Sequence, residues 1–349
     1  MTITASAPGK LFLLGEYAVL DGAPALLTAV DRRVTVTIET TDVAPWHLRT
    51  PGLNSEALAL EPDGALPHGL DERELERLRV FDAVRAAVQT DTALLPGLAI
   101  TIDSTPFFRD GGSKLGLGSS AAVAVALTAA LSAAHSLPVD RESIFARALG
   151  AHRAAQGGTG SGGDVAASTF GGLISYSKGG APTDLDWPSD LTLTVVVTGE
   201  GSSTTDLVGR VNAYRADEPA GYGRDLSALA ELAASAEAAL ASPHELLRLA
   251  SDYFDALVTL DEHSGAGIVS EHHRRLHSLA AELGGVFKTS GAGGGDVGLL
   301  FAPAGATTSR AVAAFAEAGA EAVPLAFGER GLELSGVETT TQIGRVTAR

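Results

Sequence analysis

The stretch KLGLGSSAAVAVAL, residues 114–127, sets two glycines and two serines directly ahead of an alanine-rich run. The alanines predict a helix from about Ser119 to Ala134, able to pack tightly against its neighbours. The first amide groups of a helix have no intrahelical acceptor, and the helix dipole adds positive potential at that end. Glycine lets the backbone come close to an anion and take positive φ. Gly116 and Gly118 therefore read as the bend of an anion-holding junction, with Lys114 as its nearest cation. The hydroxyls of Ser119 and Ser120 suit either a phosphate contact or a magnesium ion, Ser120 being the candidate metal ligand. A serine-capped turn before a core helix is the plainer reading of such a junction.

The junction is not of the Walker type, because no G-x-x-x-x-G-K-[ST] occurs in the chain. A literal G-x-G-x-x-G is present at Gly158, Gly160 and Gly163, but it follows the helical stretch RESIFARALGAHRAAQ rather than a strand. A dinucleotide fingerprint has to leave a strand and open a helix, so that reading is rejected.

Composition narrows the class. The 349 residues are 45% hydrophobic and 19% charged, which suits a sizeable core. A formal net charge of −17 argues against nucleic acid as a partner, since phosphate-backbone binding needs a basic surface. It leaves room for a phosphorylated small molecule held by a few placed cations. With no cysteine, thiol catalysis, disulfides and thiolate metal sites are excluded. No apolar run is long enough for a membrane span, and the apolar LFLLGEYAVL is broken by Glu16 and has no cationic leader. The expectation is a cytoplasmic protein, monomer or homodimer, with no membrane partner. Only four of the 25 lysines and arginines are lysine (Lys10, Lys114, Lys178 and Lys288). A compact ammonium that meets phosphate as a point charge is one reason to retain lysine.

Along the chain, strand and helix signals mix without a regular βαβ repeat, which predicts an α+β fold. Residues 41–79, rich in proline, glycine and charge, read as a surface excursion of little core value. Helices are expected over 119–134, 141–156, 225–241 and 243–262, the last with Ser242, Pro243 and Glu245 as a capping box. The turn-rich segment 177–190 is the expected boundary between residues 1–185 and 186–349.

Two further glycine-bearing segments accompany the junction. In GGTGSGGDVAASTFGG, 157–172, Asp164 is an isolated carboxylate among small residues, either capping a short helix or aimed into a cleft beside Ser161 and Gly162. In KTSGAGGGDVGLLF, 288–301, Gly291, Gly293, Gly294 and Gly295 are too many for an ordinary hairpin and suggest close approach to a ligand, with Lys288 and Ser290 as polar contacts. Near the N-terminus APGKLFLLGEY places Lys10 and Glu16 in an apolar element, where a lysine needs an anionic partner such as Asp164 or a phosphate.

Taken together, APGKLFLLGEYAVL, GLGSSAA and SGAGGGD, in this order, resemble the GHMP kinases over nearly the whole chain. Within that family the segments KLGLGSSAA, AHRAAQGGTGSGGDVAAS and KTSGAGGGD are most similar to bacterial phosphomevalonate kinases. The resemblance implies a two-lobe α+β fold, with an N-terminal nucleotide-binding lobe, a ferredoxin-like C-terminal lobe and the active site between them. It implies ATP and Mg²⁺ as cofactors and a small phosphorylated or hydroxylated acid as substrate. Gly116, Leu117, Gly118, Ser119, Ser120, Ala121 and Ala122 would wrap the ATP phosphates. Lys10 would meet the transferring group or the acceptor, and Asp164 takes the place of the family's aspartate. Glu16, Tyr17, Ser161, Gly162, Lys288, Ser290, Gly291, Ala292, Gly293 and Gly294 would line the acceptor site.

Two positions depart from the pattern. Mevalonate kinases carry a metal-binding glutamate about eleven residues before the aspartate, whereas this chain has His152 and Arg153 there. That argues against mevalonate as acceptor, and His152 reads as structural. Glu200 stands where a cation for an acceptor phosphate is expected. The expected activity is conversion of 5-phosphomevalonate to 5-diphosphomevalonate. A kinase of the same fold with another acceptor and a non-catalytic nucleotide sensor are the alternatives.

Overall fold

The fold is that of a computed structural model, described for residues 1–41, 45–52, 56–89, 97–109, 112–158, 160–199, 203–295 and 297–336. Its strands are β1 (Thr2–Leu14), β2 (Ala25–Thr40), β3 (His47–Arg49), β4 (Leu58–Ala59), β5 (Leu98–Asp103), β6 (Leu173–Tyr176), β7 (Thr183–Leu185), β8 (Leu191–Val197), β9 (Val286–Thr289), β10 (Val297–Pro303), β11 (Glu321–Val323) and β12 (Glu333–Ser335). Its helices are α1 (Glu72–Gln89), α2 (Ser119–Ala134), α3 (Arg141–Ala155), α4 (Gly163–Phe170), α5 (Thr204–Asp217), α6 (Pro219–Ala234), α7 (Ala236–Ala239), α8 (Pro243–Ser264), α9 (Glu271–Glu282) and α10 (Ala306–Glu317).

The first sheet has the order β12-β1-β2-β5-β3-β4, with β6 on the far end of β2 and β7 beside it. β1 and β2 form a long antiparallel pair whose register slips between Pro8 and Gly9. Just past that slip the Lys10 N–H donates to the Leu117 carbonyl at 2.9 Å, so the strand is tied to the loop ahead of α2. Helix α2 lies against β1 and β2 and is enclosed by α1, α3 and α4. Almost every residue from Ala121 to Ala133 is buried, which is why the run is apolar all round instead of striped. Alanines let helix and sheet approach closely enough to seat the junction over β1.

The second sheet has the order β11-β8-β10-β9, with every neighbouring pair antiparallel. Counted along the chain that is 4-1-3-2, the split βαβ arrangement of a ferredoxin-like layer, enlarged by the five helices α5 to α9 between its first two strands. The α+β expectation holds. None of the described helices is long and apolar enough to cross a membrane.

Three expectations change. The described part of 41–79 is not a mere surface excursion, because β3, β4 and the start of α1 lie there and Trp46 (0% exposed), Leu48, Leu60 and Leu78 belong to the main core. Their apolar side chains are separated by turns, so no periodic signal announces them. Helices α5 and α9 fall where no helix was expected. At Ser242 the hydroxyl accepts from the Glu245 N–H, but the Glu245 carboxylate turns to Arg248 at 2.7 Å, and the reciprocal capping box is formed by Ser270 and His273.

If Trp46 anchors the core, Trp46→Ala should lower unfolding free energy by roughly 3–5 kcal/mol in urea titration. A loss under about 1 kcal/mol, the ordinary cost of a surface change, would return this segment to the surface.

Candidate active site

The N-terminal end of α2 supplies the first wall. Gly118 is its N-cap, with φ 76° and ψ 38°, and offers no side chain to cap the helix. A Cβ at Gly118 would lie 2.8 Å from Lys10 Cε, so the lysine stem runs directly over this residue. Glycine is therefore required twice, by the left-handed backbone and by the lysine. Ser119 and Ser120 are part-exposed in the first turn, where amides await an acceptor. Any part that Leu117, Ala121 and Ala122 take in wrapping phosphate falls to their backbone. Their side chains are core residues, the Leu117 carbonyl serves Lys10, and the Ala122 N–H already donates to the Gly118 carbonyl at 3.3 Å. Lys114 is exposed just ahead of the loop.

Lys10 itself is nearly buried, with its ammonium 5.2 Å from the centre of the Phe12 ring. Burial lowers its pKa, while the carboxylates of Asp164 and Glu16 oppose that shift. An ammonium in so poorly solvated a place is strongly attracted to any further anion. That is the setting a transferring phosphoryl group requires.

Asp164 stands in the first turn of α4, 23% exposed, with Oδ1 accepting from the Val165 N–H at 2.9 Å. The loop before it is held from three sides. Arg153 donates to the carbonyls of Gly160 and Ser161 at 3.3 and 3.0 Å, Tyr176 donates to the Ser161 carbonyl at 3.2 Å, and the Ser161 hydroxyl accepts from the Gly163 N–H. Ser161 is thus a buried support for Asp164. Gly162 sits beneath it against Leu149. His152, 2% exposed, lies between the two walls, with Nε2 3.1 Å from Ser120 Oγ and Nδ1 3.8 Å from Asp164 Oδ2. The sequence reading left His152 and Arg153 without a role in the site. The available signal was their place on α3, one and a half turns ahead of the glycine loop.

The third wall joins the sheets. The Lys288 ammonium, 0% exposed, meets Glu16 Oε1 at 2.5 Å and the Thr289 carbonyl at 2.6 Å. Burial raises the pKa of Glu16 and lowers that of Lys288, and their ion pair opposes both shifts. Tyr17 has φ 61° and ψ −52°, and the Ala18 N–H donates to the Glu16 carbonyl at 2.7 Å, which makes Glu16–Ala18 a γ-turn of the strained, positive-φ kind. Tyr253 Oη donates to the same carbonyl at 2.7 Å, and Tyr17 Oη donates to the Ala292 carbonyl at 2.6 Å. Ser290 Oγ donates to the Phe12 carbonyl at 2.8 Å. Gly293 packs on the Ile268 backbone with φ 83°, leaving no space for a Cβ. That partner turn is itself fixed by Asp261, whose carboxylate accepts from the N–H groups of Gly267, Ile268 and Val269. Lys288 and the carboxylate of Glu16, both buried, are therefore a cross-link between the sheets, which corrects their reading as ligand contacts, and part-exposed Ser290 ties the sheets beside them. Gly291 and Gly294 lie in the turn they hold in place. Glu200 lies outside the described residues.

Among the described residues no cluster of three acidic or histidine side chains forms a metal cage. A magnesium ion here would ride on nucleotide phosphates, with Ser120 and Asp164 as the nearby protein oxygens, which is the usual way Mg²⁺ is bound.

The profile of the GHMP kinases N terminal domain matches residues 78–172, the span from α1 to the end of α4. The phosphomevalonate kinase of Streptomyces sp. strain CL190 is 34% identical, covering 88% of this chain and 91% of its own length. This chain belongs to the GHMP kinases. The mevalonate kinase of Thermococcus gammatolerans is 29% identical over 97% of this GHMP kinase and 99% of its own chain. Among solved structures, Streptococcus pneumoniae phosphomevalonate kinase with phosphomevalonate and AMPPNP superimposes with a TM-score of 0.75, at 22% identity, over 93% of this chain and 99% of that one. At that identity the likeness is one of fold. It places the two sheets of this GHMP kinase in a known architecture.

The buried ion pair gives a direct check. Lys288→Met leaves an uncompensated carboxyl and should cost about 3–5 kcal/mol in chemical denaturation, whereas Glu16→Leu combined with Lys288→Met should recover most of that loss. Additive losses in the double variant would contradict the pairing.

Proposed function

We propose that this GHMP kinase transfers the γ-phosphoryl group of MgATP to the phosphate of 5-phosphomevalonate, giving 5-diphosphomevalonate. The observation that carries the reading is the 34% identity, along nearly the whole chain, to a phosphomevalonate kinase. The surroundings of Asp164 support it, because the position of the mevalonate kinases' second acidic ligand is filled here by His152 and Arg153.

Phosphoryl transfer requires positioning and charge stabilisation more than covalent help from the protein. MgATP supplies the transferred group and much of the neutralising charge. The amides at the start of α2 hold phosphate oxygens, and Lys10 draws the transferring group and the acceptor to the point where β1 meets the loop. Asp164 opposes the loss of the Lys10 proton that burial favours, and orients the ammonium. A phosphate monoester has a second pKa of about 6, so at neutral pH the acceptor oxygen already carries its charge and no general base is required.

ADP release from MgATP should therefore be strong with 5-phosphomevalonate and at background with mevalonate, diphosphomevalonate, homoserine and galactose. Turnover of mevalonate alone would shift the acceptor to a hydroxyl, the chemistry named for the Thermococcus relative. Nucleotide binding with no turnover would favour a sensor. Asp164→Asn sharpens the distinction. It should lower kcat by about 10²–10³-fold, the range for loss of one electrostatic contact to the transferring group, while the acidic limb of the pH–rate profile near pH 6 survives as the acceptor's own titration. Loss of that limb in the variant would make Asp164 a base.

A further inference from the structure

The apolar stripe of α8, from Leu246 to Leu260, ends in a buried charge. Asp261 is 8% exposed and stands in the last turn, where the helix dipole disfavours a carboxylate. The loop that follows offsets this. Oδ1 accepts from the N–H groups of Gly267 and Ile268 at 2.6 and 2.7 Å, and Oδ2 accepts from that of Val269 at 3.0 Å. The bond to Val269 reaches beyond the loop. In a planar trans peptide the N–H and the carbonyl point in opposite directions. The Val269 N–H and the Ile268 carbonyl belong to one peptide unit, so the bond to Asp261 turns that carbonyl outward. There it accepts from the Gly294 N–H at 2.8 Å. Gly293 lies against the same oxygen, closely enough that a Cβ would collide with it.

One peptide unit thus holds Asp261 on one edge and the glycine turn on the other. Across the turn, Tyr17 Oη donates to the Ala292 carbonyl and Ser290 Oγ to the Phe12 carbonyl, so residues 290–294 are gripped between β1 and the Ile268–Val269 peptide. Arg210 on α5 steadies the same loop by donating to the Ala266 carbonyl at 3.1 Å. We infer that Asp261, one peptide removed from the glycine turn, is a positioning residue that sets where this turn stands and with it the fit of the acceptor. A carboxylate suits the task because both of its oxygens accept, whereas an amide in its place turns one of them into a donor. This role rests on the 5-phosphomevalonate reading and on the place of residues 291–294 in the acceptor site, and it leaves the nucleotide junction untouched.

Asp261→Asn is close to isosteric and sets an amide donor against at least one of the three N–H groups. In steady-state assays kcat/KM for 5-phosphomevalonate should fall by about tenfold or more, as loss of one hydrogen bond to a charged group gives, while the Kd of MgAMPPNP stays within about twofold. Gly293→Ala presses on the Ile268 carbonyl from the other side and should give the same selective loss, with the combined variant no worse than the poorer single one. Hydrogen exchange followed by mass spectrometry reads the brace without any acceptor. In Asp261→Asn the segment 291–294 should exchange about tenfold faster or more, with α2 at its wild-type rate. Circular dichroism checks that each variant is folded. Unchanged acceptor kinetics in folded Asp261→Asn or, should that variant not fold, in Gly293→Ala would overturn the inference. Equal losses for acceptor and nucleotide, or faster exchange along the whole chain, would overturn it too. A wild-type chain that released no ADP with 5-phosphomevalonate would instead sink the acceptor reading, and exchange at 291–294 would still decide whether Asp261 holds the turn.

Discussion

The buried pair between Glu16 and Lys288 is the constraint on which the cleft depends. It closes a contact between the end of β1 in one sheet and β9 in the other, across 272 residues of sequence. Two charges held out of water are costly unless their geometry is good and their remaining hydrogen-bonding groups are met. Here the Thr289 carbonyl accepts a second ammonium N–H and Tyr253 fixes the backbone of Glu16, while Glu16 Oε2 is buried with no hydrogen-bond partner among the described residues. The same few residues carry the γ-turn at Tyr17 and the bonds from Tyr17 to Ala292 and from Ser290 to Phe12. A strained turn persists only where its neighbours over-determine it, and these do.

With its far end fixed in this way, β1 sets the place of Lys10. The slip in register after Pro8 directs the Lys10 amide to Leu117, and the side chain crosses Gly118. One strand thereby meets the nucleotide loop at its middle and the second sheet at its end. Asp164 approaches from α4 on a loop braced by Arg153 and Tyr176. The acidic net charge of the chain is compatible with anionic substrates because the local field, set by Lys10 and the start of α2, differs from the global one.

Much of this was legible in the sequence, and for identifiable reasons. The start of α2 at Ser119 follows from glycine, serine and alanine in that order, and the α+β class from the mixture of strand and helix signals. Lys10 and Asp164 stand out because each is a charge in apolar or small-residue surroundings. Lys288 stood out for the same reason, yet its partner is a buried glutamate distant in sequence, and no local pattern separates an internal ion pair from a ligand contact. Trp46 and its neighbours were hidden by the turns between them. His152 was hidden because its chemistry depends on two residues brought to it by other helices.

The central claim is that nucleotide phosphates lie between Lys10 and the glycine loop. With only four lysines in the chain, each can be followed separately by mass spectrometry after amine acylation of the folded protein, continued until nearly buried Lys10 is labelled in the free protein. MgATP should protect Lys10 and leave exposed Lys178 labelled as before, while Lys288 stays unmodified until the protein unfolds. Equal labelling of Lys10 with and without saturating MgATP would contradict the account.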